Sequence, residues 1–397
     1  MSDQLPKGFR VGGVHCGIKS DAQVEDLTLI ISDEPAVAAG VYTQNVVYAA
    51  SVGRNRRITP SDNIRAVIAN SGNANTCTGE RGEEDNRQMA KLAAGLCDAD
   101  EDQVLVMSTG IIGEYLPMQR ITAGIESLAQ STGNDDESLS RAARGISTTD
   151  KFEKVATQAV SIADANIRIT GIAKGAGMIG PRMATMLCAI MTDARLTPDD
   201  AQAVLETAVD ESFNCISVEG HMSTSDTVLL LASGNAHDTA LSKADLSKFQ
   251  TALTEVCIEL AKMIPRDGEG ANHLIEIQVT GCASRDDAHQ IAKTIANSAL
   301  VKTGVAGNDP NWGRIISAAG YSGVTFDPGG MTLRLNEHLL YDGGEPRSFD
   351  KFVVSASLRD HGETFIKLQL SEGEAGCTFW TSDLTLEYVR FNSDYHT

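Results

Sequence analysis

A chain of 397 residues, 42% of them hydrophobic and 22% charged, can bury a large core as two domains or as one closely packed unit. Its formal net charge of −20 repels phosphate backbones and anionic lipid surfaces, which argues against nucleic acid and membranes as partners. No run approaches the roughly 18 apolar residues of a membrane span. The N-terminal MSDQLPKGFR lacks a signal peptide's apolar core, so the expected compartment is the cytoplasm.

In chain order, apolar runs rich in β-branched residues predict strands at 27–31, 37–42, 64–68 and 104–108, then at 167–172, 227–232 and 274–279. Further strands are predicted at 324–326, 331–335, 352–358, 365–370 and 384–391. Helical spacing marks 83–96, 117–128, 197–209, 243–263 and 285–299. The third of these carries a start signal, Thr197 followed by Pro198 and two aspartates. Gly329–Gly330 and Asp342-Gly343-Gly344 read as hairpin turns. Strands at the end of the chain, with long helices before them, predict an α+β fold of helices layered on mixed sheets.

Eight cysteines, at 16, 77, 97, 188, 215, 257, 282 and 377, contain no C-x-x-C and read as reduced, mostly buried thiols. Eight dispersed histidines contain no H-E-x-x-H, so neither a metal nor another cofactor is expected.

The stretch from Gly171 to Ala194, GIAKGAGMIGPRMATMLCAIMTDA, is the most informative. Gly175, Gly177 and Gly180 form a G-x-G-x-x-G, but a dinucleotide site needs a helix to open at once and an acid at a strand end about twenty residues on. Here Pro181 and Arg182 lead into small and apolar residues, and Asp199 and Asp200 fall in the first turn of the next helix. A glycine loop before a buried strand is the plainer reading. Within it, Met183-Ala184-Thr185-Met186 sets a hydroxyl among apolar neighbours after a small residue. Such a threonine can attack the preceding carbonyl, shift the acyl chain from nitrogen to oxygen and be freed by water. Its new α-amine, with a pKa of about 7.7–8.0, then serves as base for its own hydroxyl. Lys174 and Arg182 are the nearest cations in sequence. By itself, a threonine in an apolar run is more often a buried strand residue.

The segment KGAGMIGPRMATML followed by TDA resembles the cleavage segment of the ornithine acetyltransferases (glutamate N-acetyltransferases). NSGNANTCTG at 70–79, STGIIGEYLP at 108–117, STTDKF at 147–152, RDGEGA at 266–271, GNDPNWGRI at 307–315 and the terminal YVRFNSDYHT resemble family motifs in the same order. The resemblance spans nearly the whole chain, from about residue 8 to Thr397.

The resemblance implies an ornithine acetyltransferase/DmpA-like fold, and a precursor that splits between Ala184 and Thr185 into an α-chain (1–184) and a β-chain (185–397) packed as one intertwined unit. Thr185 becomes the nucleophile of a ping-pong transfer from N2-acetylornithine to glutamate in the cyclic route to arginine. Thr109 and Gly110 match the oxyanion-hole pair, where a hydroxyl and a backbone N–H face developing charge. Thr148, Lys174, Thr185, Glu269, Asn392 and Thr397 match substrate-binding positions, with Thr149 an equal alternative to Thr148. A heterotetramer of two α- and two β-chains is implied, and acetyl-CoA is a second donor in some members. Departures from the family pattern fall at Gly180, Arg182, His221, Met222 and Ser225, which bear on substrate preference. The alternatives are a self-processing aminopeptidase or amidase, which passes the acyl group to water, and an uncleaved amino-acid-binding protein.

Overall fold

The computed structural model describes residues 4–162, 165–180 and 186–394. The expectations placed on Arg182, Ala184, Thr185 and Thr397 therefore fall outside the described residues.

The first half runs β1 (Phe9–Val14), β2 (Leu27–Tyr42), α1 (Ala50–Ile58), β3 (Ser61–Asn73), α2 (Gly79–Ala94), β4 (Val104–Ile111), α3 (Met118–Leu128), α4 (Asp136–Ile146), β5 (Lys154–Ile162) and β6 (Ala165–Lys174). It continues with β7 (Leu187–Thr192), α5 (Pro198–Glu211), β8 (Ile216–Ser217), β9 (Thr227–Ala232), α6 (Lys243–Arg266), β10 (Leu274–Cys282), α7 (Arg285–Ala296), α8 (Ala299–Ala306) and α9 (Trp312–Gly320). The chain closes with β11 (Thr332–Leu335), β12 (His338–Asp342), β13 (Glu345–Pro346), α10 (Lys351–Arg359), β14 (Glu363–Gln369), β15 (Ala375–Ser382) and α11 (Leu386–Asp394).

Two mixed sheets carry this α+β fold. The first has the order β4-β3-β2-β9-β7-β6-β5, with β1 added on β2, and the second β13-β12-β11-β14-β10-β15-β8. Strands β7 and β9 are parallel neighbours, whereas β6 and β7 run antiparallel with Lys174 opposite Leu187. Both faces of β7 and β9 are covered. Cys188, Ile190, Val228 and Leu230 join the core shared with α5 and α6, while Leu187, Ala189, Leu229 and Leu231 pack on the α4 side. That double burial explains their unbroken apolar sequences, since neither face meets water. Helices α2 and α3 cover β3 and β4 in a third cluster.

Several expected elements shift or change type. The runs at 27–31 and 37–42 are one strand, β2, whose pairing with β3 slips between Ile31 and Ala38. The run at 352–358 is helical: the Asp350 carboxylate accepts from the Phe352 and Val353 N–H groups, and Val354 and Leu358, one turn apart, are the buried pair. The run at 384–391 lies mostly in α11, which has no buried residue, so its apolar side chains never pair in a sheet. Residues 324–326 are irregular, with Val324 and Phe326 lying against the large core. Gly329–Gly330 closes a short helical turn before β11, whereas Gly343 and Gly344, both at positive φ, turn the β12–β13 hairpin. The Thr197 cap is as expected, with its hydroxyl accepting from the Asp200 N–H and Pro198 in the first turn.

All eight cysteines are free thiols, six of them buried. No helix among the described residues is long and apolar enough to cross a membrane, and no cluster of three or more His, Cys, Asp or Glu is placed to hold a metal.

Candidate active site

Lys174 ends β6 and is 2% exposed; burial lowers its pKa against the opposing pull of Asp150. Its ammonium donates to the Thr109 hydroxyl at 3.5 Å. Thr109 and Gly110 lie within the last residues of β4 rather than in a turn after it, because β4 runs on to Ile111 beside β3. Gly110 sits at φ +133°, and a side-chain carbon there would stand 2.2 Å from the Gly72 carbonyl carbon. Only glycine meets both demands.

Below Lys174 lies a buried charge network. Lys154, with no exposed surface, donates to Asp150 and to Asp267, each at 2.6 Å. Asp150 Oδ1 also accepts from the Gly175 N–H at 2.7 Å and Oδ2 from the Thr148 N–H at 3.0 Å. Burial alone would raise the Asp150 carboxyl; Lys154, Lys174 and the Gly175 N–H outweigh it and hold it at about 2. Asp267, also bonded by the Lys151 N–H, is raised by burial despite Lys154. Asp150 thereby ties the 148–150 turn to the first glycine of the 175–180 loop.

That loop carries no helix. Residues 175–180 are irregular, and the chain resumes as β7, so the phosphate-binding geometry of a dinucleotide site is missing among the described residues. The glycines serve close packing instead. A carbon added at Gly177 would lie 2.4 Å from the Glu269 carboxyl carbon, and one at Gly180 would lie 2.6 Å from the Gly220 carbonyl carbon. The absence of a methyl at Gly180 lets the 220–221 segment lie against the loop.

Glu269 is held at both oxygens. The Thr149 hydroxyl donates to Oε1 at 2.9 Å, and the Asn392 amide, reaching from α11, donates to Oε2 at 3.1 Å. Thr149 therefore serves Glu269, whereas the Thr148 hydroxyl has no hydrogen-bond partner among the described residues. Thr109, Gly110, Thr148, Thr149, Lys174, Glu269 and Asn392 all line one cavity of about 110 Å³, together with Ala74, Ile112, Met178 and the 223–225 segment. Its size suits a small metabolite, well below the roughly 300–1,000 Å³ of a drug-sized site.

Sequence reasoning missed the Asp150–Lys154–Asp267 network and the polar wall of Ser223 and Thr224. Asp150 and Asp267 stood inside quoted motifs, but nothing in sequence marked Lys154 as their shared partner. Asp226, fully buried behind the wall, is pushed up to about 8 by burial, despite the Met186 N–H it accepts at 3.2 Å and the nearby Thr43, Ser223 and Lys174. Conversely, GNDPNWGRI contributes nothing to the cavity; its Trp312 stacks on Tyr341 at 5.5 Å between ring centres.

The profile of the ArgJ family matches residues 10–397. The arginine biosynthesis bifunctional protein ArgJ of Rhodopirellula baltica is 45% identical over 399 residues, covering 100% of this chain and 97% of its own. The protein of the same name from Geobacter sulfurreducens is 43% identical, covering 98% of this chain and 99% of its own. The crystal structure of arginine biosynthesis bifunctional protein argJ from Bacillus halodurans is 39% identical, with a TM-score of 0.51, over 52% of this chain and 98% of the solved one. With a family match over nearly its whole length and relatives this similar from end to end, the chain belongs to the ArgJ family of arginine-biosynthesis acetyltransferases.

Proposed function

We propose that this chain cuts itself between Ala184 and Thr185 and then moves an acetyl group from N2-acetylornithine to glutamate through an acetyl-Thr185 intermediate. The observation that carries the reading is convergence: Thr109, Gly110, Thr148, Lys174, Glu269 and Asn392 stand far apart in sequence yet line one cavity. In the first half-reaction Thr185 Oγ bonds to the acetyl carbon while the Thr185 amine takes the hydroxyl proton. The Thr109 hydroxyl and Gly110 N–H stabilise the oxyanion, the C–N bond breaks, and ornithine leaves with the proton. The glutamate amine then attacks the ester and regenerates the threonine.

Lys174 supplies the cation for the α-carboxylate that ornithine and glutamate share, and the local positive charge an anionic substrate needs in a chain of net charge −20. The Thr148 hydroxyl is open to the same substrate, Glu269 favours ornithine's side-chain ammonium, and Thr397 completes the set at the chain end. A cut before Thr185 leaves β6 in one product and β7 in the other, paired in one sheet, so the α- and β-chains stay joined without a covalent link. Two such αβ units form the active heterotetramer, in the cytoplasm.

Denaturing electrophoresis tests the cut: fragments of residues 1–184 and 185–397, the second starting Thr-Met-Leu-Cys, are expected, and Thr185→Ala abolishes both the fragments and transfer. Incubation with acetylornithine, with and without glutamate, tests the reaction. Acetylglutamate is the expected product; free acetate in its place would establish the amidase instead. Acetyl-CoA as the alternative donor decides whether this chain also shares the second activity.

A further inference from the structure

Asp226 lies at the start of β9, one residue before Thr227, which pairs with Leu187 at the start of β7. Its Oδ1 accepts the Met186 N–H at 3.2 Å, and that nitrogen belongs to the peptide carrying the Thr185 carbonyl. Its Oδ2 is buried without a hydrogen-bond partner among the described residues. A carboxylate anion with an unsatisfied oxygen in a site of zero exposure carries a large desolvation cost, whereas a neutral carboxyl avoids most of it. The groups facing it are the Met186 N–H, the Thr43 and Ser223 hydroxyls, and, as the charged neighbour, Lys174, which is drawn on as well by Asp150 and Glu269. Asp226 itself does not line the substrate cavity.

We propose that Asp226 is a positioning residue for the nucleophile: its buried carboxyl anchors the Met186 N–H, and with it the peptide that joins Met186 to Thr185. This rests on the Thr185 reading above. The neutral form is the working form, so ionisation of Asp226 is the event that ends activity at high pH, by setting a negative charge that competes with substrate for Lys174.

The test compares Asp226→Ala, Asp226→Asn and the unaltered chain for self-cleavage and acetyl transfer between pH 6 and 9.5. Asparagine keeps a carbonyl oxygen for the Met186 N–H and cannot ionise; alanine keeps neither feature. D226A is expected to slow both steps at least about tenfold, with the loss of transfer in kcat rather than KM. D226N is expected to stay near the unaltered rate at pH 7 and to hold it at pH 9, where the unaltered chain falls about tenfold, one unit above a carboxyl at about 8. Melting curves check folding, and if D226A fails to fold, the D226N comparison across pH decides. An unchanged alkaline fall in D226N, or a folded D226N as slow as D226A, overturns the proposal. Thr185→Ala is run in parallel. If it still cuts and transfers, the nucleophile reading fails and this one with it; if it is inert while the Asp226 variants behave normally, this proposal alone fails.

Discussion

The ammonium of Lys154 lies 2.6 Å from the Asp267 carboxylate, and neither side chain has any exposed surface. Asp150, 1% exposed, takes the same ammonium at 2.6 Å from the other side. One cation thus holds two segments, 148–150 and 267–269, that deliver Thr148, Thr149 and Glu269 to the cavity. Removing one partner of a buried ion pair leaves charge without compensation. Lys154→Met is therefore expected to destabilise the fold by about 3–5 kcal/mol, read from denaturant midpoints. A loss below about 1 kcal/mol would show that the carboxylates relax to water or share a proton at little cost.

Acid stability follows from Asp150. Its carboxyl is held at about 2, against an ordinary 3.8, so its contribution is present above pH 4 and drains away as pH falls through that window towards 2. Asp150→Asn is expected to be less stable at neutral pH and to show a flatter decline between pH 4 and 2, measured by thermal melts across pH.

Asp226 runs the other way. The folded state keeps its proton up to about pH 8 while the unfolded chain gives it up near 3.8, so this carboxyl makes stability fall with rising pH across that interval. Asp226→Asn removes the slope. Its stability relative to the unaltered chain is expected to improve steadily from pH 4 to 8 and then level off.

The two threonines of the 148–149 turn differ in their partners. Thr148→Val removes a hydroxyl that is open to substrate and is expected to raise KM with little change in melting temperature. Thr149→Val strips the Glu269 carboxylate of its 2.9 Å donor and is expected to lower acetylornithine turnover more than acetylglutamate turnover in the reverse assay. Steady-state kinetics with each substrate checks both, and equal effects from both variants would refute the division.

Thr109→Val keeps shape while deleting one expected oxyanion donor. Transfer is expected to fall about 10²–10³-fold. If the same site serves processing, precursor cleavage slows with it; normal cleavage beside slow transfer would mean two oxyanion sites.

Sequence and structure contributed differently. The apolar runs of β4, β6, β9, β10 and β14, and the capped start of α5, were legible because burial, period and cap chemistry are local properties. The runs at 352–358 and 384–391 misled because β-branched and aromatic residues do not by themselves separate a strand from a short helix. The Asp350 cap and the four-residue spacing of Val354 and Leu358 decided for a helix. Helices α1, α4, α8 and α9 went unmarked, although Asp135 caps α4 through the Ser138 N–H.

By itself the sequence determined the family, and through it the reaction class and the expected site residues, because the order of motifs along a chain is legible without its fold. Only the tertiary structure decided which of them share a cavity, which threonine is committed to Glu269, and which partners Lys154 and Asp226 take. Their partners lie 113 and 40 residues away, and a buried charge or an unsatisfied oxygen exists only once folding has removed the water around it.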